Sequence, residues 1–566
     1  MFVNTFKRRF IFVSIFMLLI FFIYFYFFYS IFFADSIIIN FAVHPFDVCA
    51  KYPEEWQIFK KFYIVVFLFA NLVVSNVLYS IFFNKSPKKK LKQKSEIPRD
   101  DLNLFVGFDS CNNPIYLSSY GLYQNILITG TIGTGKTSSA MYPFTRQLIS
   151  YKSNSFSEKL GMLILDVKGN YYKQVKNYCY KYNRIKDLIV IGFNSNIYYN
   201  PLDKPNLKAT VLANRLKTIL CLFSKNNSES YWLDKAEQVI AECIKLCRLY
   251  NDNYVTFSEI HKLITIPDYY QEKIFYLRNL FINGHFSKED CFNLLSSLNF
   301  FEKEFSKLDS RTLSILKSEI TRITGCFVSD MQIQNIFCPE KSKINFYGFS
   351  DLLKKGKIIV LNMNIAEYKN LSKIIAAYLK LDFQSEVLSQ LSKGPATRSS
   401  VFISDEFQEY VTDTDADFFA QSREAKCINI VSTQSYTSLL NSLKDKYTVQ
   451  TIVQNLVNKF WFRTDDLFTI DEAQKQIGKE DKLKYSKTIS ENSKETNYSY
   501  ITKSFSSLDA NISESINSYY NFDFVYDTNF FTQKLETFTC LTFLSNGSSI
   551  IPPQKLFLVP YFKTDF

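Results

Sequence analysis

At 566 residues the chain is too long for one hydrophobic core and points to about three or four units. Its net charge of +12 does not by itself indicate a nucleic-acid surface, because residues 1–95 hold twelve Lys/Arg against four Asp/Glu and account for about +8 of it. Eleven cysteines with no CxxC pair, and three scattered histidines (His44, His261, His285), argue against a zinc framework and fit a reducing compartment for most of the chain.

Phe10 to Phe33 is an apolar run without one charge, and Phe62 to Phe83 is a second with two Asn in it. About twenty such residues cross a bilayer core. Lys7, Arg8 and Arg9 precede the first run, and Lys88, Lys89, Lys90, Lys92 and Lys94 follow the second. Positive flanks face the cytoplasm, so residues 1–95 read as a membrane anchor with two transmembrane helices, at about 10–33 and 62–83, and a short external loop over 34–61. A cleaved signal peptide is the rival reading of the first run, and it lacks a clear small-residue cleavage site. The expected location is the inner (plasma) membrane, multi-pass, with the bulk of the chain cytoplasmic.

Residues 96–205 read as the first part of a nucleotide-binding domain. The apolar run Asn125-Ile-Leu-Ile-Thr-Gly130 enters a glycine-rich stretch that is followed by helical spacing. Gly130-Thr131-Ile132-Gly133-Thr134-Gly135-Lys136-Thr137 matches GxxxxGK[ST] in full, with Ser138 next. The glycines let successive backbone N–H groups turn toward phosphates, and the helix N-terminus adds partial positive charge. In that pattern Lys136 reaches the terminal phosphates of ATP and Thr137 joins the shell of a Mg2+ ion. The strand in "MLILDVKGNYY" ends at Asp166-Val167-Lys168-Gly169 and is placed beside the acidic strand, its polar end toward the same crevice. "DLIVIGF" and, further on, "KIIVLNMN" (Lys357 to Asn364) read as additional strands.

Between about 206 and 340 the period becomes helical. Trp232, Ala236, Val239, Ile240, Cys243, Ile244 and Cys247 form one apolar stripe, so this segment reads as an all-α domain inserted in the sheet. Cys243 and Cys247 belong to that packing face. The second part of the nucleotide-binding domain is expected over 341–566. Within it "SVFISDEFQEY" is a buried-type strand ending in Asp405-Glu406. Hydrolysis needs one carboxylate for Mg2+ and one to polarise water; Asp405 is the candidate for the first and Glu406 for the second. Gln434, at the tip of the strand in "INIVSTQS", is placed to sense the γ-phosphate. Arg423, in "QSREAKC", reads as a helix residue able to reach a neighbouring subunit's nucleotide, its bland alternative being a surface ion pair. Ser486 to Tyr520, rich in Ser and Asn, reads as a linker of low hydrophobicity, and the closing segment "TCLTFLSNGSSIIPPQKLFLVPYF" as final strands with little room for a further adaptor.

Taken in order, two N-terminal spans, "GTIGTGKT", "LDVKGN", "YNPLD", "YWLDKAEQ", "KIIVLNMN", "SDEFQEY", "SREAKC" and "STQS" resemble the type IV secretion coupling proteins, the TraG/TraD-like membrane ATPases of conjugation. The likeness runs from about 100 to 480. It implies a RecA-like P-loop α/β fold with an inserted all-α domain, assembly as a homo-hexamer around a channel, and ATP-driven delivery of a DNA–relaxase complex or protein effectors to secretion-channel components. It also implies that Asp405 and Glu406 form the acidic pair, that Arg423 acts in trans, and that Gln434 is the polar strand tip. An FtsK/HerA-type DNA translocase is the second enzyme reading, and the helical insert argues against it. ABC transport lacks an LSGGQ-like signature ahead of the acidic strand. A nucleotide-binding membrane receptor that docks substrates without turnover is the reading of another class, and intact Lys136, Asp405 and Glu406 oppose it.

Overall fold

The computed structural model describes residues 102–563, apart from 167, 194, 224–229, 285, 395–397, 492–495, 500–502 and 508–511, together with isolated positions between 53 and 68. The chain divides into Met1–Arg99 and Asp100–Phe566. In the first unit the isolated positions, among them Lys61, Ile64, Val65 and Leu68, are helical. The spans expected at 10–33 and 62–83 otherwise lie outside the described residues, and no described helix is long and apolar enough to cross a membrane.

In the second unit, short runs of branched and aromatic residues make the strands: β1 (Asn103–Phe108), β2 (Pro114–Ser118), β3 (Ile126–Thr129), β4 (Gly161–Leu165), β5 (Leu188–Gly192), β6 (Ile358–Asn362), β7 (Ser400–Ser404), β8 (Cys427–Thr433), β9 (Asn458–Trp461), β10 (Lys479–Glu491), β11 (Thr496–Ser499), β12 (Ser504–Ser507), β13 (Ile512–Phe524), β14 (Thr539–Ser545) and β15 (Ile550–Phe557). Eleven of them form one sheet in the order β2-β1-β15-β14-β9-β3-β8-β7-β4-β6-β5. From β9 to β5 all neighbours are parallel, and β14, β15, β1 and β2 extend that sheet antiparallel. Every residue of β3, β4, β7 and β8 is buried. Alternate side chains serve opposite faces. Leu127, Leu163, Phe402 and Val431 enter one core, while Ile128, Ile164, Ile403 and Ile430 enter the other. A parallel sheet covered on both faces needs such continuous apolar strands, which is why these runs stand out in the sequence.

The helices of the sheet domain are α1 (Tyr142–Ser150) and α2 (Tyr171–Lys181), and then, after the insert, others that return to the sheet. The insert comprises α3 (Ala209–Cys221), α4 (Ser230–Tyr250), α5 (Phe257–Thr265), α6 (Tyr269–Ile282), α7 (Lys288–Asn299), α8 (Ser310–Val328) and α9 (Met331–Phe337). Thr256, Asp309 and Asp330 cap α5, α8 and α9 by accepting hydrogen bonds from first-turn N–H groups, which fixes where those helices begin. On α4, Ala236, Val239, Ile240, Cys243, Ile244 and Cys247 are buried in one core, with Trp232 packed against it. The two connections of the insert run side by side: Tyr199 bridges Phe346 in parallel, and Asn345 N–H donates to Tyr198 O at 3.3 Å. Helix α10 (Asn370–Ser389) fastens this junction through buried Asp382, which accepts from Tyr199 Oη at 2.9 Å and pairs with Lys204 at 2.9 Å and Arg215 at 3.0 Å. The chain then continues through α11 (Asp415–Gln421), α12 (Tyr436–Leu443), α13 (Lys446–Asn455) and α14 (Leu467–Ile477).

The stretch expected as a linker at 486–520 is instead largely β-structure. β10 and β13 pair antiparallel along their length, with Leu483 opposite Tyr520 and Tyr485 opposite Ser518, and β11 pairs with β12 beyond them. The reason is alternation. Leu483, Tyr485 and Ile489 on β10 share one face with Ile516, Tyr520 and Phe522 on β13, and the opposite face is polar or charged apart from Tyr519. Average composition hides a period of two. All six of these side chains are exposed.

Candidate nucleotide site

β3 runs straight into the phosphate loop, and the loop's geometry follows from its glycines. Gly133 and Gly135 have φ of +80° and +95°, in the region that side chains disfavour. A Cβ on Gly135 would stand 2.5 Å from the Phe538 ring. Loop residues also bond outward: Thr131 N–H donates to Arg463 O at 2.9 Å and Gly130 N–H to Gln434 O at 3.2 Å. A π-helical turn, Lys136–Met141, follows and merges into α1. Lys136 is buried and its ammonium folds back onto Gly130 O and, at 3.0 Å, Thr131 O, with burial pulling its pKa below the ordinary lysine value. Ser138 Oγ donates to Gly135 O at 3.2 Å and Thr134 Oγ1 to Thr131 O at 2.9 Å, so the loop is internally tied.

Parallel register delivers the acidic pair to the same place. β8 lies between β3 and β7, with Thr129 opposite Thr433 and Ser404 opposite Val431, so the carboxyl ends of all three strands open on one crevice. Asp405 is 2% exposed, and Thr137 Oγ1 donates to its Oδ2 at 3.2 Å. Burial raises the Asp405 carboxyl to about 6, against the pull of Lys168. Glu406 holds a left-handed backbone with φ of +51°, a conformation that costs a non-glycine residue of order 1–3 kcal/mol and recurs at functional sites. Its Oε1 accepts from Lys168 Nζ, and its Oε2 accepts from Gln408 Nε2 at 2.6 Å and Gln434 Nε2 at 3.2 Å. Burial pushes its pKa up, but Lys168 and the two amides outweigh it and hold it below the usual value.

The predicted residues therefore meet. Thr131, Gly133, Thr134, Gly135, Lys136, Thr137, Ser138, Asp405 and Glu406 line one cavity of about 410 Å³. Gly130 anchors Lys136 at its edge and Gln434 touches Glu406. Arg423 is not brought there. It is exposed, in a turn rather than a helix, just before the amino end of β8, whereas the crevice lies at the carboxyl ends of the strands. The cavity is also lined by Asp166, Lys168 and Asn170, from the strand end expected to face this crevice, and by Tyr142, Tyr171 and Tyr561, none of which is among the predicted site residues. "LDVKGN" was a visible signal for the first three of these. Tyr561 arrives from the far end of the chain, with its ring 5.2 Å from that of Tyr142, and no local pattern announces it.

The donor set suits Mg2+. A hydroxyl and a buried carboxylate 3.2 Å apart supply hard oxygens beside a phosphate cradle, and this ion is commonly held by one or two carboxylates plus phosphate oxygens. Among the described residues there is no cluster of three or more His, Cys, Asp or Glu that would suggest an all-protein metal cage.

Solved structures with the same architecture include the bacterial conjugative coupling protein TrwBdeltaN70 in an unbound monoclinic form. It is 12% identical, has a TM-score of 0.54, and covers 81% of this chain and 88% of its own. The chain has the TrwB fold. TrwB bound to the non-hydrolysable GTP analogue GDPNP matches at a TM-score of 0.53 and 12% identity, over 80% of this chain and 89% of TrwB. TrwB bound to ADP and Mg2+ matches at 0.52 and 12% identity, over 78% and 86%. No protein-family model matches the sequence, and no curated protein matches it either. At this identity the likeness to TrwB fixes the fold: a RecA-like α/β sheet with a helical insert.

Proposed function

We propose that the chain is a Mg2+-dependent ATPase of the coupling-protein type, a membrane-anchored motor. In this reading it works as a hexamer and moves a DNA–relaxase complex or protein effectors to a type IV secretion channel. The observation that carries the reading is the meeting of Lys136, Thr137 and Asp405 in one crevice, with Thr137 Oγ1 3.2 Å from Asp405 Oδ2. The TrwB fold supports it, as does the binding of ADP and Mg2+ by TrwB itself.

Each side chain then has a task. The loop N–H groups and Lys136 bind and orient the β- and γ-phosphates, for which Lys136 must leave its backbone acceptors. Thr137 and Asp405 would hold Mg2+, which when bound neutralises charge building on the phosphates. Glu406 orients water in line with the γ-phosphate, and Gln434, already on Glu406, links its position to the loop through the Gln434 O to Gly130 N–H bond. Arg423 is proposed to act on a neighbouring subunit.

The test is an ATPase assay on the full chain. Lys136→Ala should abolish nucleotide binding. Glu406→Gln should bind ATP and lose at least about a hundredfold in turnover, the scale of a lost general base. Unchanged turnover in both variants sinks the proposal. Stimulation of turnover by single-stranded DNA assigns the motor to DNA, and stimulation by an effector protein alone assigns it to protein.

A further inference from the structure

Glu406 orients water best through an uncovered carboxylate oxygen, yet both of its oxygens carry partners: Oε1 takes Lys168, and Oε2 takes Gln408 and Gln434, so three of about four acceptor sites are filled. The amides belong to the acidic turn itself and to the neighbouring strand tip. Lys168 comes from elsewhere, on the loop after β4, and that loop is built. Asp166 accepts from Lys168 N–H at 2.8 Å, Asn170 N–H at 3.0 Å and Tyr171 N–H at 3.0 Å, so one carboxylate folds the turn and ties it to the start of α2. Gly169 makes the turn possible with φ of +73°, packed close to Asn364.

The two partners differ in exposure. The Lys168 side chain is 51% exposed and that of Glu406 is 11% exposed, so the lysine covers the carboxylate from the open side of the cavity that also holds Lys136 and Thr137. A flexible, half-exposed ammonium gives up one carboxylate easily when a more highly charged anion is offered. We infer that Lys168 is a nucleotide-sensing positioning residue, which covers Glu406 in the resting site and transfers to the terminal phosphate of a bound triphosphate, leaving Oε1 free to orient water. A diphosphate lacks the group that draws Lys168 away, so Glu406 stays covered after product forms. This inference rests on the ATPase reading above.

The experiment compares Lys168→Met, Lys168→Gln and Lys168→Arg in the full chain, each first checked for an unchanged melting point. Binding of fluorescent ADP and of a fluorescent non-hydrolysable ATP analogue is measured together with kcat and KM. In the Met and Gln variants the triphosphate should bind about tenfold more weakly, the worth of one charge-assisted hydrogen bond, and ADP within about twofold of wild type. KM for ATP should rise in parallel with the loss of triphosphate affinity, and Arg should restore that affinity. Equal weakening of both nucleotides, or of neither, overturns the inference, because a merely structural ion pair cannot tell a triphosphate from a diphosphate. A wild-type chain that hydrolyses no ATP defeats the ATPase reading instead, and the ratio of the two affinities still decides the role of Lys168.

Discussion

Lys380→Met perturbs a buried ion pair just behind the acidic strand tip. Lys380 on α10 and Asp415 at the start of α11 both have fully buried side chains, with Nζ 2.5 Å from Oδ2. The ammonium also donates to Tyr410 O and Thr412 Oγ1, each at 2.8 Å. Tyr410 Oη in turn lies 2.8 Å from Asp405 O, so the pair braces the turn that presents the acidic residues. Methionine fills nearly the same volume, and the damage is therefore electrostatic. Removing one partner of a buried pair costs about 3–5 kcal/mol, because it leaves the other charge uncompensated. Asp415 keeps hydrogen bonds from Gln384 Nε2 and Thr412 N–H, both at 2.7 Å, which places the expected loss near the lower end, about 3 kcal/mol. Thermal unfolding of the full chain should show a melting point lower by about 3 °C, since unfolding entropy grows with chain length. The double variant Lys380→Met/Asp415→Asn should recover a large part of the loss, since the neutral amide no longer needs a counter-ion. A Lys380→Met protein within about 1 kcal/mol of wild type, or a double variant less stable than the single, would refute the reasoning.

Lys459 in β9 is 2% exposed and burial pulls its amine down to about 7, so between that pH and 10.5 the unfolded chain binds the extra proton and stability rises with pH. Lys459→Met should be more stable than wild type at pH 7, by an amount on the order of 4 kcal/mol that shrinks toward pH 10, and denaturant titrations with the same slope against pH in both proteins would contradict this. Gly135→Ala meets both a positive φ of +95° and the Phe538 ring, and should weaken ATP binding at least about tenfold in a fluorescence titration. If Arg423 serves a neighbour's nucleotide, Arg423→Ala lowers turnover in the assembled oligomer by at least about a hundredfold and leaves ATP affinity within about twofold; equal turnover removes it from the mechanism.

The site was legible where local pattern and chemistry coincide. A phosphate loop is a contiguous string whose spacing is set by backbone geometry, and Asp405-Glu406 follows a strand that is apolar at every position because both of its faces are covered. Lys168 follows a recognisable strand end, but its partner is 238 residues away, and only the register of β4 beside β7 brings the two together. Tyr561 had no signal at all, since a tail residue enters the cavity through the packing of the last turn. The β10–β13 ribbon is hard to see in the sequence because its alternation is diluted by serine and asparagine, and a strand pattern survives such dilution when a partner carries the same period.

The helical insert leaves the sheet and rejoins it at one seam, where Tyr199 meets Phe346 and Asp382 gathers Tyr199, Lys204 and Arg215. The attachment does not end there, because buried residues of α3, α4 and α8, such as Leu216, Ile240 and Ile320, share one core with Leu163 and Phe402 of the sheet. The solvent-facing side of the insert can therefore change over evolutionary time while its inner faces, and with them the strand register that aligns Lys136 with Asp405, stay as they are.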